Sequence, residues 1–188
     1  MKGRFRMQGW IGVLGALVLI LNFGCEKDTG PDRSGVITLS SQLFGAESYY
    51  LFGYNFEESG MFKYPVKDEA IPDIINEGFP VIGGESESSL PGFNTPGRLN
   101  GFALVGEFPN AEDAKSFFND YTRVEEGLQY HILSDTVKLH QVWVQKTSAG
   151  NYAKILVRDI VQVEVTSGSA YNEVTLEFNY SNDGSAEF

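Results

Sequence analysis

The chain has 188 residues and a formal net charge of −11, from 14 lysines and arginines against 25 aspartates and glutamates. Nucleic-acid binding depends on clustered basic residues, so this acidic balance argues against a phosphate-backbone partner. Apolar residues make up 42% of the chain and include 14 Phe, 9 Tyr and 2 Trp, which is enough to build the core of one domain.

Residues 1–24 have the three parts of a bacterial export signal. The chain starts with basic and no acidic residues, an apolar run follows over residues 10–23, and the small Gly24 ends the segment. A retained transmembrane helix is the alternative, but it would need about 20 apolar residues without interrupting glycines. We therefore predict a signal peptide, whose removal takes away three basic residues and changes the net charge from −11 to −14.

Cys25, the only cysteine, comes directly after this segment. Its position predicts a lipidation site that carries palmitate-type acyl chains, whereas the alternatives for a lone exported cysteine are an intermolecular disulfide and a free thiol. Two or more acyl chains anchor a protein stably to a membrane. Because Glu26 is not the aspartate typical of inner-membrane retention signals, the similarity to sorting signals predicts an outer-membrane lipoprotein, on the periplasmic or the cell-surface face.

Composition divides the remaining chain into three parts. Residues 25–35 are polar with Gly and Pro, which predicts a lipidated N-terminus and a flexible stalk. Residues 36–182 predict a single β-rich domain. Residues 183–188 predict a frayed tail.

Several short strands are predicted in the first part of the domain. β-Branched and aromatic residues favour strands over residues 36–44, 47–56 and 61–64, the last of them ended by Pro65. Residues 66–84 fit either a helical turn or a broken strand, and both alternatives stay open.

Residues 85–97 are rich in Ser, Gly and Pro and predict a long surface loop. Phe93 is an apolar residue in the middle of this predicted loop. We consider it a candidate ligand contact, and packing into the core is the alternative.

A buried strand over residues 99–108 and then one amphipathic helix are predicted next. Asn110 suits the N-cap position, and acidic residues in the first turn favour a helix start. Apolar side chains at helical spacing form one stripe, consisting of Ala111, Ala114, Phe117, Phe118 and Tyr121.

The C-terminal third predicts an antiparallel meander. Strands over residues 137–145 and 152–165 are joined by a loop in which Gly150 and Asn151 would supply positive φ values. From Asn172 onward apolar and polar residues alternate strictly, which predicts that Val174, Leu176, Phe178 and Tyr180 face the core. The fold class is therefore mostly β (α+β), a sandwich-like antiparallel sheet with one amphipathic helix.

Two imidazoles, His131 and His140, are the candidate ligand-binding side chains besides Phe93. On the predicted strand His140 would share a face with Val142 and Val144, as structural histidines often do, and a bis-His haem site is the functional alternative. We predict no metal site, because neither HxH nor HExxH spacing occurs. We also predict no enzyme activity, since the chain lacks a GxSxG motif and any suitably spaced carboxylate pair.

The segments GNYAKILV at residues 150–157 and VTLEFNY at residues 174–180 resemble the C-terminal strands of HmuY-like haem-binding lipoproteins. Members of that family are lipid-anchored, all-β proteins of the outer membrane. The resemblance implies a β fold, a membrane anchor and haem as a candidate cofactor. The family's haem ligands lie upstream of the matching segments, so the resemblance assigns no ligand in this chain.

Three functional hypotheses follow. The first is a non-enzymatic outer-membrane lipoprotein whose β domain binds a small hydrophobic ligand or a partner protein. The second is haem capture through His131 or His140. The third is a structural component of the cell envelope.

Overall fold

The computed structural model of the chain describes residues 33–46, 49–65, 70–80, 89–96, 101–164 and 170–188, with the backbone alone at 79–80. The predicted signal peptide, Cys25 and all but the last three residues of the predicted stalk lie outside these ranges.

Most of the described residues belong to antiparallel sheets. The strands, in chain order, are β1 (Ser34–Ser40), β2 (Leu51–Asn55), β3 (Gly60–Tyr64), β4 (Ile74–Asn76), β5 (Phe79–Pro80), β6 (Ser89–Leu90), β7 (Phe93–Asn94), β8 (Phe102–Glu107), β9 (Gln141–Lys146), β10 (Tyr152–Glu164) and β11 (Ala170–Ser181). A five-stranded sheet has the order β1-β11-β10-β9-β8, a four-stranded sheet has the order β3-β2-β4-β7, and β5 pairs with β6. The predicted fold class, including the C-terminal meander β9-β10-β11, is confirmed.

The main core lies between the five-stranded and the four-stranded sheet. We call the face of the five-stranded sheet that lines this core its inner face. On β11 the inner face carries Val174, Leu176, Phe178 and Tyr180, none more than 3% exposed. The ring of Phe178 lies 5.5 Å from that of Tyr54 and 5.2 Å from that of Phe56, both from the opposite sheet. Strict alternation therefore predicted the buried face correctly, and each such side chain contributes roughly 1.5–3 kcal/mol before entropy is subtracted.

A helix, α1 (Ala111–Asp120), covers the other face of the five-stranded sheet, which we call the outer face. The side chain of Asn110 accepts a hydrogen bond from the Asp113 N–H at 2.9 Å, so the predicted N-cap is confirmed. The helix packs through Ala114 and Phe118 on Val142 and Leu156 of the sheet. Ala111, which we predicted in the buried stripe, is exposed because it lies at the open end of the helix. Within the described ranges, no helix has the length and apolar character needed to cross a membrane.

The middle of the chain differs most from prediction. Residues 74–76 form a strand, which resolves the ambiguity of residues 66–84 at this point, and residues 89–94 contribute β6 and β7 where we predicted surface loop. Phe93 is 0% exposed, with its ring 5.7 Å from that of Phe102 and 6.2 Å from that of Trp143. The surface-loop prediction is therefore wrong for residues 89–96, since long-range pairing orders polar and Pro-containing segments that look like loop locally.

Two local predictions in the meander need correction. His140 does not lie in a strand, because β9 begins at Gln141 and His140 occupies a turn with φ of 64°. In the loop that joins β9 and β10, Gly150 has the predicted positive φ of 89°, but Asn151 does not. Asn151 is buried instead and donates a hydrogen bond to the Tyr180 hydroxyl at 2.8 Å.

Hydrogen bonds hold the C-terminal residues against the segment that follows α1. The Val124 N–H donates to the Ala186 carbonyl at 2.7 Å, and the Phe188 N–H donates to the Thr122 carbonyl at 2.9 Å. The prediction of a frayed tail was wrong, because Phe188 brings an aromatic ring to the cluster around Tyr121. At the other end the sheet begins at Ser34, within the predicted stalk.

Candidate functional site

A cleft with a volume of about 500 Å³ lies on the outer face of the five-stranded sheet, beside the first turn of α1. We call it the α1 cleft. The apolar residues Ala111, Leu156 and Val157 line it. Its polar lining carries both signs of charge and consists of Glu112, Lys115, His140, Arg158 and Glu177. The volume lies within the range of roughly 300–1,000 Å³ that is typical of small-molecule sites, while five of the eight lining residues are polar or charged.

Arg158 faces the α1 cleft because side chains alternate along β10 and the preceding Val157 faces the main core, and a β-bulge begins at this point. Val157 pairs with Leu176 and Asp159 pairs with Thr175, so Arg158 is the extra residue of the bulge. Both Val157 and Ile160 thereby remain in contact with the main core. The bulge therefore brings Ile160 to the inner face, while Arg158 stays on the outer face.

Two cations of the cleft share one carboxylate. Lys115 Nζ lies 2.5 Å from one Glu177 oxygen, and an Arg158 guanidinium nitrogen lies 3.7 Å from the other. Lys115 Nζ also lies 5.1 Å from the centre of the Phe118 ring. Since Lys115 is on the helix while Glu177 and Arg158 are on β11 and β10, the ion pairs join the helix to the sheet.

His140 lines the same cleft from the turn before β9. Its backbone N–H donates to the Val157 carbonyl at 3.1 Å, just beyond the last paired residues of β9 and β10. The turn therefore has a fixed position, and the imidazole is placed at the cleft by backbone geometry.

A buried lysine lies on the same face under the other end of the helix. Lys154 is 1% exposed, and its ammonium donates to the carbonyls of Phe118 and Tyr121 at 2.6 and 2.7 Å. These are acceptors at the C-terminus of α1, where the helix dipole favours a cation. The rings of Phe118 and Phe188 lie 4.7 and 5.2 Å from Nζ. Burial lowers the pKa of Lys154 to about 8, and the charge of Lys115 adds to the shift.

A second cleft, which we call the 131 cleft, has a volume of about 400 Å³ and lies beside β8. His131 exchanges two backbone hydrogen bonds with Phe102, at 2.8 and 2.9 Å, and the two segments then diverge at Leu104 and Gln129. Trp143 lies at the bottom of the cleft and is 4% exposed. The cleft therefore offers an imidazole next to an aromatic surface.

The structure does not bring the two histidines together. His131 lines the cleft beside Trp143, an inner-face residue, whereas His140 lines the cleft beside Leu156, an outer-face residue. No site described can therefore hold one haem between both imidazoles. Phe93 lines neither cleft, because it is enclosed in the main core.

One polar cluster was missed by sequence reasoning. The Tyr180 hydroxyl donates to a carboxylate oxygen of Glu57, and the Asn151 amide donates to the same oxygen at 3.2 Å. Burial raises the pKa of Tyr180, and the hydrogen bond to Glu57 raises it further. Glu57 is exposed in the turn after β2, and its carboxylate joins this turn to the end of β11, so the cluster is a structural connection between the sheets.

Among the described residues, no group of three His, Cys, Asp or Glu side chains is arranged to bind a metal ion. No protein-family model matches the chain, and a search of curated proteins finds no significant similarity. The resemblance to HmuY-like lipoproteins therefore stays a prediction.

Proposed function

We propose that the protein is an exported lipoprotein, anchored to the outer membrane through acylated Cys25, whose β domain binds a small hydrophobic ligand without catalysing a reaction. The observation that supports ligand binding is the α1 cleft, with its apolar surface, its volume of about 500 Å³ and its polar groups of both signs. Such a cleft suits a molecule with an apolar body and a polar end. The helix start, the bulge and the His140 turn fix its walls.

Native mass spectrometry of the purified full-length protein tests this proposal. We expect a retained small molecule in the wild type and saturable fluorescence enhancement of the apolar probe 1-anilinonaphthalene-8-sulfonate. Ala111→Trp would fill the cleft from an exposed position and abolish both signals. Ala149→Trp, at an exposed position in the loop between β9 and β10, is the matched control and should keep both. Equal binding by the two variants would contradict the assignment to the α1 cleft.

The membrane anchor requires its own experiment. Radiolabelled palmitate should enter the wild-type protein and not a Cys25→Ala variant, and the labelled protein should fractionate with the outer membrane. Absence of label from the wild type, or recovery of the protein in the cytoplasm, would contradict the anchor.

Haem binding is the second candidate function, supported by the position of His131 beside Trp143 in the 131 cleft. Because the histidines lie on opposite faces, we expect haem to depend on His131 alone of the two. Hemin titration should then give a Soret shift that is lost in His131→Ala and kept in His140→Ala. A flat titration of the wild type would exclude this function.

A further inference from the structure

The outer strands of the two sheets differ in how they are protected from pairing with another chain. An unpaired edge exposes backbone N–H and C=O groups, and proteins usually block it with a charge, a proline, a bulge, a short strand or a covering segment. In the five-stranded sheet, β8 has a bulge between Leu104 and Gly106, carries Glu107, and is covered at Phe102 by His131.

The outer strands of the four-stranded sheet are protected as well. The strand β3 carries the exposed Lys63 and ends next to Pro65. The strand β7 is two residues long, and its Asn94 is bridged to Leu133. Three of the four outer strands therefore have at least one recognised protecting feature.

The fourth, β1, has none of these features within its seven residues, and the exposed Arg33 directly precedes it. Its seven residues contain no charge and no proline, and they pair with β11 in one continuous register. The Tyr180 N–H donates to the Arg33 carbonyl and the Ser41 N–H donates to the Asn172 carbonyl, so odd-numbered residues direct their backbone groups at β11. The backbone groups of Ser34, Val36 and Thr38 therefore point away from the sheet. All three residues are exposed, and Val36 is 55% exposed.

We propose that β1 is the interface for a second copy of this chain, and that two β1 strands pair antiparallel about a twofold axis at Val36. Among the residues that the structure describes, no backbone partner faces the even-numbered residues of β1, so the axis must relate even positions to even positions. An axis at Val36 places each valine opposite its counterpart and Ser34 opposite Thr38. The exposed valines become a cross-strand pair on one face, and the two five-stranded sheets become one sheet.

The charge of the molecule favours a second copy over a charged partner. The strand β1 itself contains no acidic residue that could attract a cationic partner and no basic residue that could attract an acidic partner. Two mature copies with a net charge of −14 each repel one another at long range, but the paired strands place no like charges opposite each other. The interface is small, which predicts weak association in solution. Ser34 follows Cys25 by nine positions, so copies anchored at Cys25, as proposed above, would share one membrane plane at high local concentration.

Cysteine cross-linking of the full-length protein in outer-membrane preparations tests the proposal. Directly opposed residues with mutual backbone hydrogen bonds have Cα atoms about 5.5 Å apart, within the range of a disulfide. We expect Val36→Cys to give a covalent dimer on oxidation. Val161→Cys is the matched control, since Val161 is 45% exposed but lies in β10, which β11 separates from β1. Equal dimer in the two variants, or a cross-link of Val36→Cys to a protein of different mass, would overturn self-pairing.

Light scattering in detergent gives a second readout that does not depend on an introduced thiol. Val36→Lys should remove the dimer with an unchanged circular dichroism spectrum, whereas Val161→Lys should keep it. The wild-type dimer fraction should rise with salt, because screening weakens the repulsion between two acidic bodies and the interface contains no ion pair. Loss of dimer with added salt, or an equal dimer fraction in both lysine variants, would contradict the proposal. With a reducing agent present, failure of lipid labelling at Cys25 would contradict the anchor and leave this result unaffected.

Discussion

The two faces of the five-stranded sheet bury different kinds of side chain. The inner face is covered by a second sheet and buries apolar side chains from every strand. The outer face is covered by α1, by residues 121–130 and by the C-terminal residues, and it buries the ammonium of Lys154 and borders the α1 cleft. A whole sheet excludes water along the full length of a strand, whereas a helix of ten residues excludes it over a patch. Stability is therefore concentrated on the inner face, and clefts with polar groups form at the margin of the helix.

The largest effect should come from placing a charge on the inner face. Phe178→Asp removes a ring that is 1% exposed and leaves a carboxylate without a partner, so we expect a loss of more than about 4 kcal/mol and an unfolded domain. Asn179→Asp introduces the same residue one position later on the outer face and should change stability by less than about 0.5 kcal/mol. Urea unfolding followed by circular dichroism compares the two. An unchanged midpoint for Phe178→Asp would show that the two faces are not assigned correctly.

Replacement of Lys154, the buried lysine of the outer face, should reduce stability by a smaller amount that depends on pH. Lys154→Met keeps the aliphatic length but leaves two helix carbonyls without a donor, which costs about 1–3 kcal/mol. The folded pKa of Lys154, about 8, lies below its ordinary value of 10.5, so between these values the unfolded state binds more protons. The contribution of Lys154 to the free energy of unfolding of the wild type therefore rises as the pH increases from about 8 to 10.5.

Unfolding free energies at pH 7 and pH 9 test this linkage. The wild type should gain stability over the variant as the pH rises, so the cost of Lys154→Met should be larger at pH 9 than at pH 7. A cost that shrinks with pH would mean that the carbonyls and the helix dipole stabilise the charged ammonium more than burial destabilises it.

Features of the fold that have a local sequence pattern could be predicted, whereas features that depend on distant partners could not. Alternation along β11 and the cap at Asn110 are local patterns, and both were assigned correctly. The strands at residues 74–76 and 93–94 depend on partners far along the chain, and no local periodicity of two develops in so few residues. The residues of the α1 cleft are brought together by the packing of α1 on β10 and β11 and by a turn at His140. Neither has a local signal, since each depends on contacts between segments far apart in the chain.

Lys154 did carry a signal that sequence reasoning passed over. It is the single charged residue in the apolar run at residues 153–157 of a strand that was predicted correctly. A lone lysine in such a run indicates a buried cation with a specific acceptor, because an unpaired one would cost too much free energy. The acceptors themselves could not be inferred, because they are backbone carbonyls of a helix more than thirty residues away.

A third prediction concerns the helix that covers the outer face. Asn110→Ala removes the acceptor for the Asp113 N–H, and loss of an N-cap costs about 1 kcal/mol. Asn119→Ala, at an exposed position inside the same helix, removes no cap and should be neutral or slightly stabilising because alanine has the higher helix propensity. Thermal unfolding distinguishes the two. Equal costs would show that the first turn of α1, and with it the wall of the α1 cleft, does not depend on the cap.

The smallest effect should come from the ion pairs at the margin of the helix. Glu177→Gln removes the carboxylate shared by Lys115 and Arg158, but the Lys115 side chain is 43% exposed, so water and salt screen the attraction. We expect a loss below about 1 kcal/mol that vanishes at high salt. Glu107→Gln breaks the more exposed pair with Lys138 and should cost no more than that. A loss above 2 kcal/mol for Glu177→Gln, unchanged by salt, would mean that this carboxylate is effectively buried. The outer face would then depend on electrostatics as strongly as the inner face depends on apolar burial, and the contrast between the two faces would fail.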